Sequence, residues 1–282
     1  VKPAPFAYAK ARSLDDAIML LGQHGEGARL LAGGQSLMAT LNMRLSAPRI
    51  LIDINGISGL DGIARRNGSL EIGALVRQAA AERSGDIARD APLIAAALPH
   101  IGHVATRNRG TIGGSIAFAD PAAELPACLL ALGGEIEIAG ANGKRGVNAD
   151  DFFKGLYETA LGAGDIITAI RVPAATAESR YGFAELARRL GDYAIVGLAA
   201  SARAAGLHLT DVRLAFFGVG LTPLRAKKAE AALAVGDVEA AVKSLHSTLD
   251  PPDDIQEKGS VKKHLAGVLL RRVAAQLVEA RR

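Results

Sequence analysis

Leu30-Leu31-Ala32-Gly33-Gly34-Gln35-Ser36-Leu37 and Arg109-Gly110-Thr111-Ile112-Gly113-Gly114-Ser115-Ile116 are the two stretches on which the reading of this chain turns. Each holds a Gly-Gly pair that opens onto a short polar residue and then an apolar run, and the pairs lie roughly eighty residues apart. Glycine lets the backbone turn sharply and approach a ligand, so each loop reads as a place where N–H groups are left bare for an anion. Ser36, Ser115 and Thr111 add hydroxyls at what read as helix starts, where phosphate is readily held. On its own, a glycine pair after a strand is most often a tight turn. Two loops converging on one diphosphate describe a nucleotide cofactor site. Neither fits the G-x-G-x-x-G fingerprint, so an ordinary Rossmann site is not expected.

Working outward, Ser13-Leu14-Asp15-Asp16 reads as a helix start, with Ser13 as N-cap and Asp16 as the reciprocal acid. Arg29 to Ala32 reads as a strand running into the first glycine pair, Ser36 to Arg44 as helical, and Ile50 to Ile54 as a buried strand. Residues 1–55 thus form a β–loop–α–β unit with the loop at a strand end, the edge where open α/β sheets bind ligands. Ile63 to Ile72 reads as a hairpin around Asn67-Gly68, and Glu135 to Lys144 as another. Ala91 to Ile101 and Glu124 to Leu132 read as helices, and Ile166 to Val172 as a strand stopped by Pro173. Residues 56–175 therefore suggest an antiparallel sheet with helices packed on it. Pro173 to Ser179 is small and polar, a linker to a third unit over 176–282. That unit reads as strands at Tyr181 to Leu186, Ala194 to Ala204 and Val212 to Val219. Helices at Ala226 to Ala234, Val238 to Leu249 and Val261 to Arg282 follow.

Composition narrows the class. With 282 residues there is room for two or three packed units, and 49% hydrophobic against 22% charged residues argues against disorder. Aromatics reach only 4%, with no Trp, so alanine and small aliphatics must fill the core. The net charge of +4 is spread out. Arg107 with Arg109 and Arg188 with Arg189 read as solvated surface, and no basic stripe with interleaved aromatics suggests nucleic-acid binding. Cys128 is the single cysteine, which rules out a disulfide or a cysteine-ligated iron–sulfur cluster within the chain and reads as a small buried hydrophobe. His100 and His103 lack the further ligands of a metal site. There is no apolar run of spanning length and no signal-peptide core, so no transmembrane segment and a cytoplasmic location are expected.

Directly after the second loop comes Ala119-Asp120-Pro121-Ala122-Ala123-Glu124. Its two carboxylates cannot help hold phosphate, but they accept hydrogen bonds from ribose or ribityl hydroxyls.

Taken together, Ala32 to Leu37, Arg107 to Ile116, Ala119 to Ala127 and Arg188-Arg189-Leu190-Gly191-Asp192-Tyr193-Ala194-Ile195-Val196-Gly197 resemble the FAD-binding medium subunits of molybdenum hydroxylases, the carbon monoxide dehydrogenase medium-chain type in particular. The resemblance spans essentially the whole chain, with the motifs in order. It implies an α+β fold: a two-subdomain FAD-binding module of the vanillyl-alcohol-oxidase (PCMH) type, then a C-terminal α+β domain with a small antiparallel sheet and helices. It implies a partner small subunit carrying [2Fe-2S] clusters, a large molybdopterin subunit, and a dimer of heterotrimers. Electrons would pass through FAD to an external acceptor such as a quinone, NAD or oxygen.

By resemblance, Leu31, Ala32, Gly33, Gly34, Gln35, Ser36 and Leu37, with Thr111, Gly114 and Ser115, would wrap the FAD pyrophosphate and adjacent sugars. Glu124 would bind flavin-side hydroxyls, with Asp120 nearby or capping a helix. Ile101 and Ile167 would line the cofactor, and Tyr193 would lie against the isoalloxazine. Flavin redox needs no side-chain nucleophile, so no catalytic acid or base is expected. Two positions depart from the family pattern: Phe118 replaces a common histidine and Glu185 a common lysine. A glutamate there would oppose the reduced flavin anion, leaving the potential and the electron acceptor open. The alternatives are a free-standing flavoprotein oxidase or dehydrogenase of the same fold, and a non-enzymatic nucleotide-binding module.

Overall fold

The computed structural model describes residues 2–206 and 208–279. In the N-terminal unit, β1 (Ala7–Lys10), α1 (Leu14–His24), β2 (Ala28–Leu31), α2 (Leu37–Asn42) and β3 (Ile50–Asp53) succeed one another. The three strands are parallel, in the order β1-β3-β2. Strand β1 is an addition to the sequence reading. Its side chains are mostly exposed, so no apolar alternation announces it, and it is held by backbone pairing to β3. Ser13 caps α1 as expected, its Oγ accepting from Asp16 N at 3.1 Å. The reciprocal bond closes one residue earlier than a capping box, from Arg12 N to Asp16 Oδ2 at 2.8 Å.

The second unit begins with β4 (Ile63–Arg66) and β5 (Ser69–Gly73), whose turn residues Asn67 (φ 50°) and Gly68 (φ 77°) are both left-handed, as a type I′ hairpin requires. There follow α3 (Gln78–Glu82), α4 (Gly85–Asp90), α5 (Pro92–Ala97), α6 (Val104–Arg109), α7 (Ile112–Phe118) and α8 (Glu124–Leu132). Next come β6 (Glu135–Gly140), β7 (Gly143–Asn148), α9 (Ala149–Phe152), the small hairpin β8 (Phe153–Gly155) and β9 (Glu158–Thr159), and β10 (Ile166–Pro173). The sheet runs β4-β5-β10-β6-β7, antiparallel throughout. The helix expected over Ala91 to Ile101 is shorter: α5 gives way to a 3₁₀ turn over Leu98–His100, because Pro99 has no N–H to continue the α pattern. Helices α3, α4 and α6 span too few residues to show an apolar period, and the sequence did not reveal them.

Beyond Pro173 the chain is tied down, with Ala174 N donating to Gly68 O (2.9 Å) and Ala175 N to Asp90 O (2.8 Å). The last unit is an antiparallel sheet of β11 (Ser179–Leu186), β12 (Val196–Ala205), β13 (His208–Phe217) and β14 (Leu224–Arg225), in that order. One face is covered by α10 (Lys227–Ala234), α11 (Val238–Thr248) and α12 (Gly259–Glu279). Residues 280–282 of the expected last helix lie outside the described residues.

Alternation along β12 divides its apolar side chains between two cores. Val196, Leu198 and Ala200 pack under α10–α12, while Ala199 joins the core built on α8. Every residue of α8 is buried, which suits a helix apolar on all sides. Its C-terminal carbonyls are met from the third unit: Ser201 Oγ donates to Ala131 O (2.7 Å), and Arg213 Nη2 and Nε donate to Leu130 O (2.8 and 3.1 Å). An arginine there also favours the negative end of the helix dipole. Leu129→Ala should therefore cost about 2–5 kcal/mol of stability, the range for a large-to-small change in a packed core. Urea unfolding followed by circular dichroism measures it, and a loss below about 1 kcal/mol would contradict this packing.

Candidate functional site

A cleft of about 710 Å³ opens where the three units meet, within the usual range of about 300–1,000 Å³ for small-molecule sites. The first unit contributes the loop after β2, at the C-terminal edge of its parallel sheet. The second contributes the start of α7, the segment leading into α8, and Ile167 of β10. From the third comes the loop carrying Gly191, Asp192 and Tyr193. That loop sits on the turn after α5: a Cβ on Gly191 would lie 2.6 Å from Gly102 O.

The two glycine loops touch. A Cβ on Gly33 would overlap Arg109 O and stand 2.9 Å from Gly110 Cα, so only glycine permits this approach. Gly34 follows with φ +73°, turning the chain into α2. A polar bridge reinforces the contact. Asn55 Nδ2 donates to Ala32 O (2.9 Å) behind the first loop, and Arg77 Nη2 donates to Asn55 Oδ1 (2.6 Å). Arg77 Nη1 then donates to Arg109 O at the head of the second loop.

Backbone accounting separates the loops. Among the described residues, the N–H groups of Gly33, Gly34, Gln35, Ser36 and Leu37 find no acceptor, which makes the first loop a row of bare donors. The second loop departs from expectation. Ile112 N and Gly113 N donate to Val76 O (3.0 Å) and Ala74 O (2.8 Å) on the segment after β5. Gly114 N donates to Thr111 Oγ1 (3.1 Å) and Ser115 N to Thr111 O (3.2 Å). Its amides are spent on docking and capping α7, and its hydroxyls remain the polar groups that can face a ligand.

At the other end of the cleft, Ala119 ends α7 in the left-handed region (φ 52°, ψ 44°), uncommon for a residue with a Cβ. This turn is followed by Asp120, whose Oδ1 accepts from Ala122 N (2.9 Å); the N-cap of α8 is Ala123, so Asp120 does not cap that helix. Burial pushes the Asp120 carboxyl up. Phe118 packs against Tyr157, ring centroids 5.0 Å apart. Glu124, 7% exposed, is pushed up to about 7 by burial, with Asp120 adding to the effect.

Of the residues named from the sequence, Ala32, Gly33, Gly34, Gln35, Ser36, Leu37, Ile101, Thr111, Gly114, Ser115, Asp120, Glu124, Ile167 and Tyr193 line this cleft. Leu31 does not: it ends β2, and its carbonyl accepts from Ile54 N (3.1 Å). Tyr193 stands at the rim, 63% exposed. Arg107 corrects the surface reading of its pair. It is 7% exposed, with Nε on Glu82 Oε2 (2.8 Å) and Nη1 on the carbonyls of Ile101 and Gly102 (3.0 Å each), so it holds the turn under Gly191. Sequence reading also missed Gln78, which lines the cleft 5% exposed with an unpartnered Oε1. It belongs to no motif, and only the docking of α3 on the second loop brings it there.

Bare amides, hydroxyls and an orphaned amide oxygen, with carboxyls beyond them, define a site for a phosphorylated cofactor rich in hydroxyls. Residues 4–175 match the family of the FAD binding domain in molybdopterin dehydrogenase, and residues 181–277 match the CO dehydrogenase flavoprotein C-terminal domain. The chain belongs to this family, and is a medium, FAD-binding subunit of the molybdenum hydroxylases. The nicotine 6-hydroxylase medium subunit of Paenarthrobacter nicotinovorans is 35% identical over 95% of this chain and 96% of its own length. The carbon monoxide dehydrogenase medium chain of Hydrogenophaga pseudoflava is 34% identical over 96% of both. A solved carbon monoxide dehydrogenase from that organism, lacking the Mo-pyranopterin moiety of its cofactor, superimposes with a TM-score of 0.96 at 36% identity over 99% of each chain. Among the described residues no helix is long and apolar enough to cross a membrane.

Gly33→Val should separate the two glycine loops and lower FAD affinity at least tenfold, read by quenching of flavin fluorescence on titration. Unchanged affinity would mean that the loop contact does not shape the cleft.

Proposed function

We propose that this cleft holds one FAD, with its pyrophosphate over Gly33 to Leu37 and its sugar hydroxyls toward Asp120 and Glu124. The observation that carries the reading is the run of bare N–H groups at the first loop, facing the Thr111 and Ser115 hydroxyls across one cleft. A diphosphate needs several donors at once, and a fixed nest supplies them without a lysine. The unpartnered Gln78 Oε1 would accept from a hydroxyl or amide of the ligand. Tyr193, exposed at the rim beside Gly191, would flank the isoalloxazine. When bound, FAD supplies the redox chemistry; the chain orients it, sets its surroundings and limits water.

In the assembly, electrons would arrive from [2Fe-2S] clusters on a small subunit, themselves reduced by molybdopterin on a large subunit, and leave through FAD to an external acceptor. Cys128, the only cysteine, is buried and bonded to Leu93 O (3.9 Å), which supports clusters supplied by a partner. A dimer of heterotrimers is the assembly this reading favours.

Purified with its neighbours, the chain should appear in a complex containing iron, molybdenum and FAD in near-stoichiometric amounts; a colourless chain free of partners would defeat the reading. Gly114→Trp should abolish flavin uptake. A Cβ at Gly114 meets only Thr111, its Oγ1 at 2.7 Å and its Cβ at 4.0 Å, so the ring would extend into the cleft that Gly114 lines. Normal flavin content in that variant would place the cofactor elsewhere.

A further inference from the structure

Behind the cleft lies a titratable cluster that cofactor binding leaves unexplained. Glu185 on β11 has a side chain only 3% exposed, and its Oε2 has no hydrogen-bond partner. His100 Nδ1 stands 3.9 Å from that oxygen, on a ring that packs against Phe183 (centroids 5.0 Å apart) and is one-third exposed (33%). Glu124, on the cleft side, acts on Glu185 electrostatically, and both act on Cys128.

Among the described residues, no Lys or Arg pairs with Glu185. Its titratable neighbours are His100 from the 3₁₀ turn and Glu124 and Cys128 from α8. Helix α5, packed on β11, carries no titratable side chain. Strand β12 offers Gly197 opposite, and α12 packs on the other face of β11, where Gly182 meets Val273 and Gln276. The His100 imidazole is itself pushed down by burial, so it is not a ready counter-charge. Burial, with Glu124 adding to it, pushes the Glu185 carboxyl up to about 8.

We infer that Glu185, wedged between His100 on the solvent side and Glu124 on the cleft side, takes up a proton when the flavin bound in the cleft is reduced. This rests on the placement of FAD given above. Two electrons from the iron–sulfur partner, with one proton on the ring, leave one net negative charge in the cleft. A neutral carboxyl behind the cleft wall is tolerated, whereas a carboxylate there is repelled. Where Glu185 is ionised while the flavin is oxidised, reduction draws one further proton from solvent, on the His100 side, onto Glu185. Only that O–H bond forms in the relay, and two electrons are then matched by two protons. The glutamate thus relieves the opposition that its charge would impose.

Two measurements test the idea. Potentiometric titration of the FAD-loaded chain from pH 6 to 9.5 should show an added limb of about 30 mV per pH unit, one further proton per two electrons, above roughly pH 8, distinct from any uptake by Glu124 nearer pH 7. Glu185→Gln should lose the added limb above roughly pH 8 while keeping any steepening near pH 7 that belongs to Glu124, which lines the cleft and is itself pushed up to about 7. No added limb above roughly pH 8 in the unchanged protein, or that same limb surviving in the variant, would overturn the proposal. Thermal unfolding of the FAD-free chain gives a second readout. Folded Glu185 keeps a proton that the unfolded chain releases near its ordinary value of 4.5, so ionisation penalises the fold increasingly as pH rises toward about 8. The melting temperature of Glu185→Gln relative to the unchanged chain should therefore climb from pH 5.5 to 8.5, and should do so again in a His100→Gln background, where the neighbouring imidazole no longer titrates. A flat difference would sink the proposal whatever the flavin does. Flavin uptake in the same preparations isolates failure of the cleft reading, since a chain taking up no FAD defeats both.

Discussion

The backbone contact between Gly33 and the Arg109–Gly110 peptide is the constraint from which the site follows. No side chain fits there, and a Cβ on Gly33 would overlap a carbonyl oxygen. The contact sets how a parallel sheet and an antiparallel sheet meet, and the cleft is the space left beside it. The Asn55–Arg77 bridge holds the same junction with charged and amide groups whose other bonds lead back into each unit. Because both loops are anchored from behind, the first can leave its amides bare without collapsing onto them.

Helix α8 does for the third unit what the glycine contact does for the first two. It begins at Glu124 in the cleft wall and ends under Ser201 and Arg213 of the last sheet. Its burial joins the packing of two units into one core, so the rim loop with Tyr193 is positioned by the same helix that presents the acid. The strained Ala119 just before it turns the chain from the glycine loop to the carboxyl segment. The shape of the cleft and the packing of the units here share the same residues.

Burial changes the meaning of Glu185. Read as a charge in place of a lysine, it works against a reduced flavin. Removed from water, with Glu124 adding to the effect, its carboxyl is pushed up to about 8, so it opposes a reduced flavin only where the pH is high enough to ionise it. Chemical identity alone therefore misjudges the sign of its effect, because desolvation outweighs the ordinary preference of a carboxyl.

Much was legible from the residues alone. Periodicity marked the hairpin at Asn67-Gly68, the buried helix from Glu124 to Leu132 and the three long strands of the last sheet. These elements carry their own pattern of apolar and turn residues. The glycine pairs and the acidic segment pointed to one cofactor because such loops need particular residues wherever they occur. Tertiary structure decided what no local pattern encodes: the exposed edge strand β1, the short helices near the cleft, the burial of Arg107, and the arrival of Gln78 beside the second loop. It also decided that only the first loop keeps its amides free, while the second uses them on Val76 and Ala74. Sequence specifies which groups a segment offers; which of them stay available depends on what the rest of the chain packs against them.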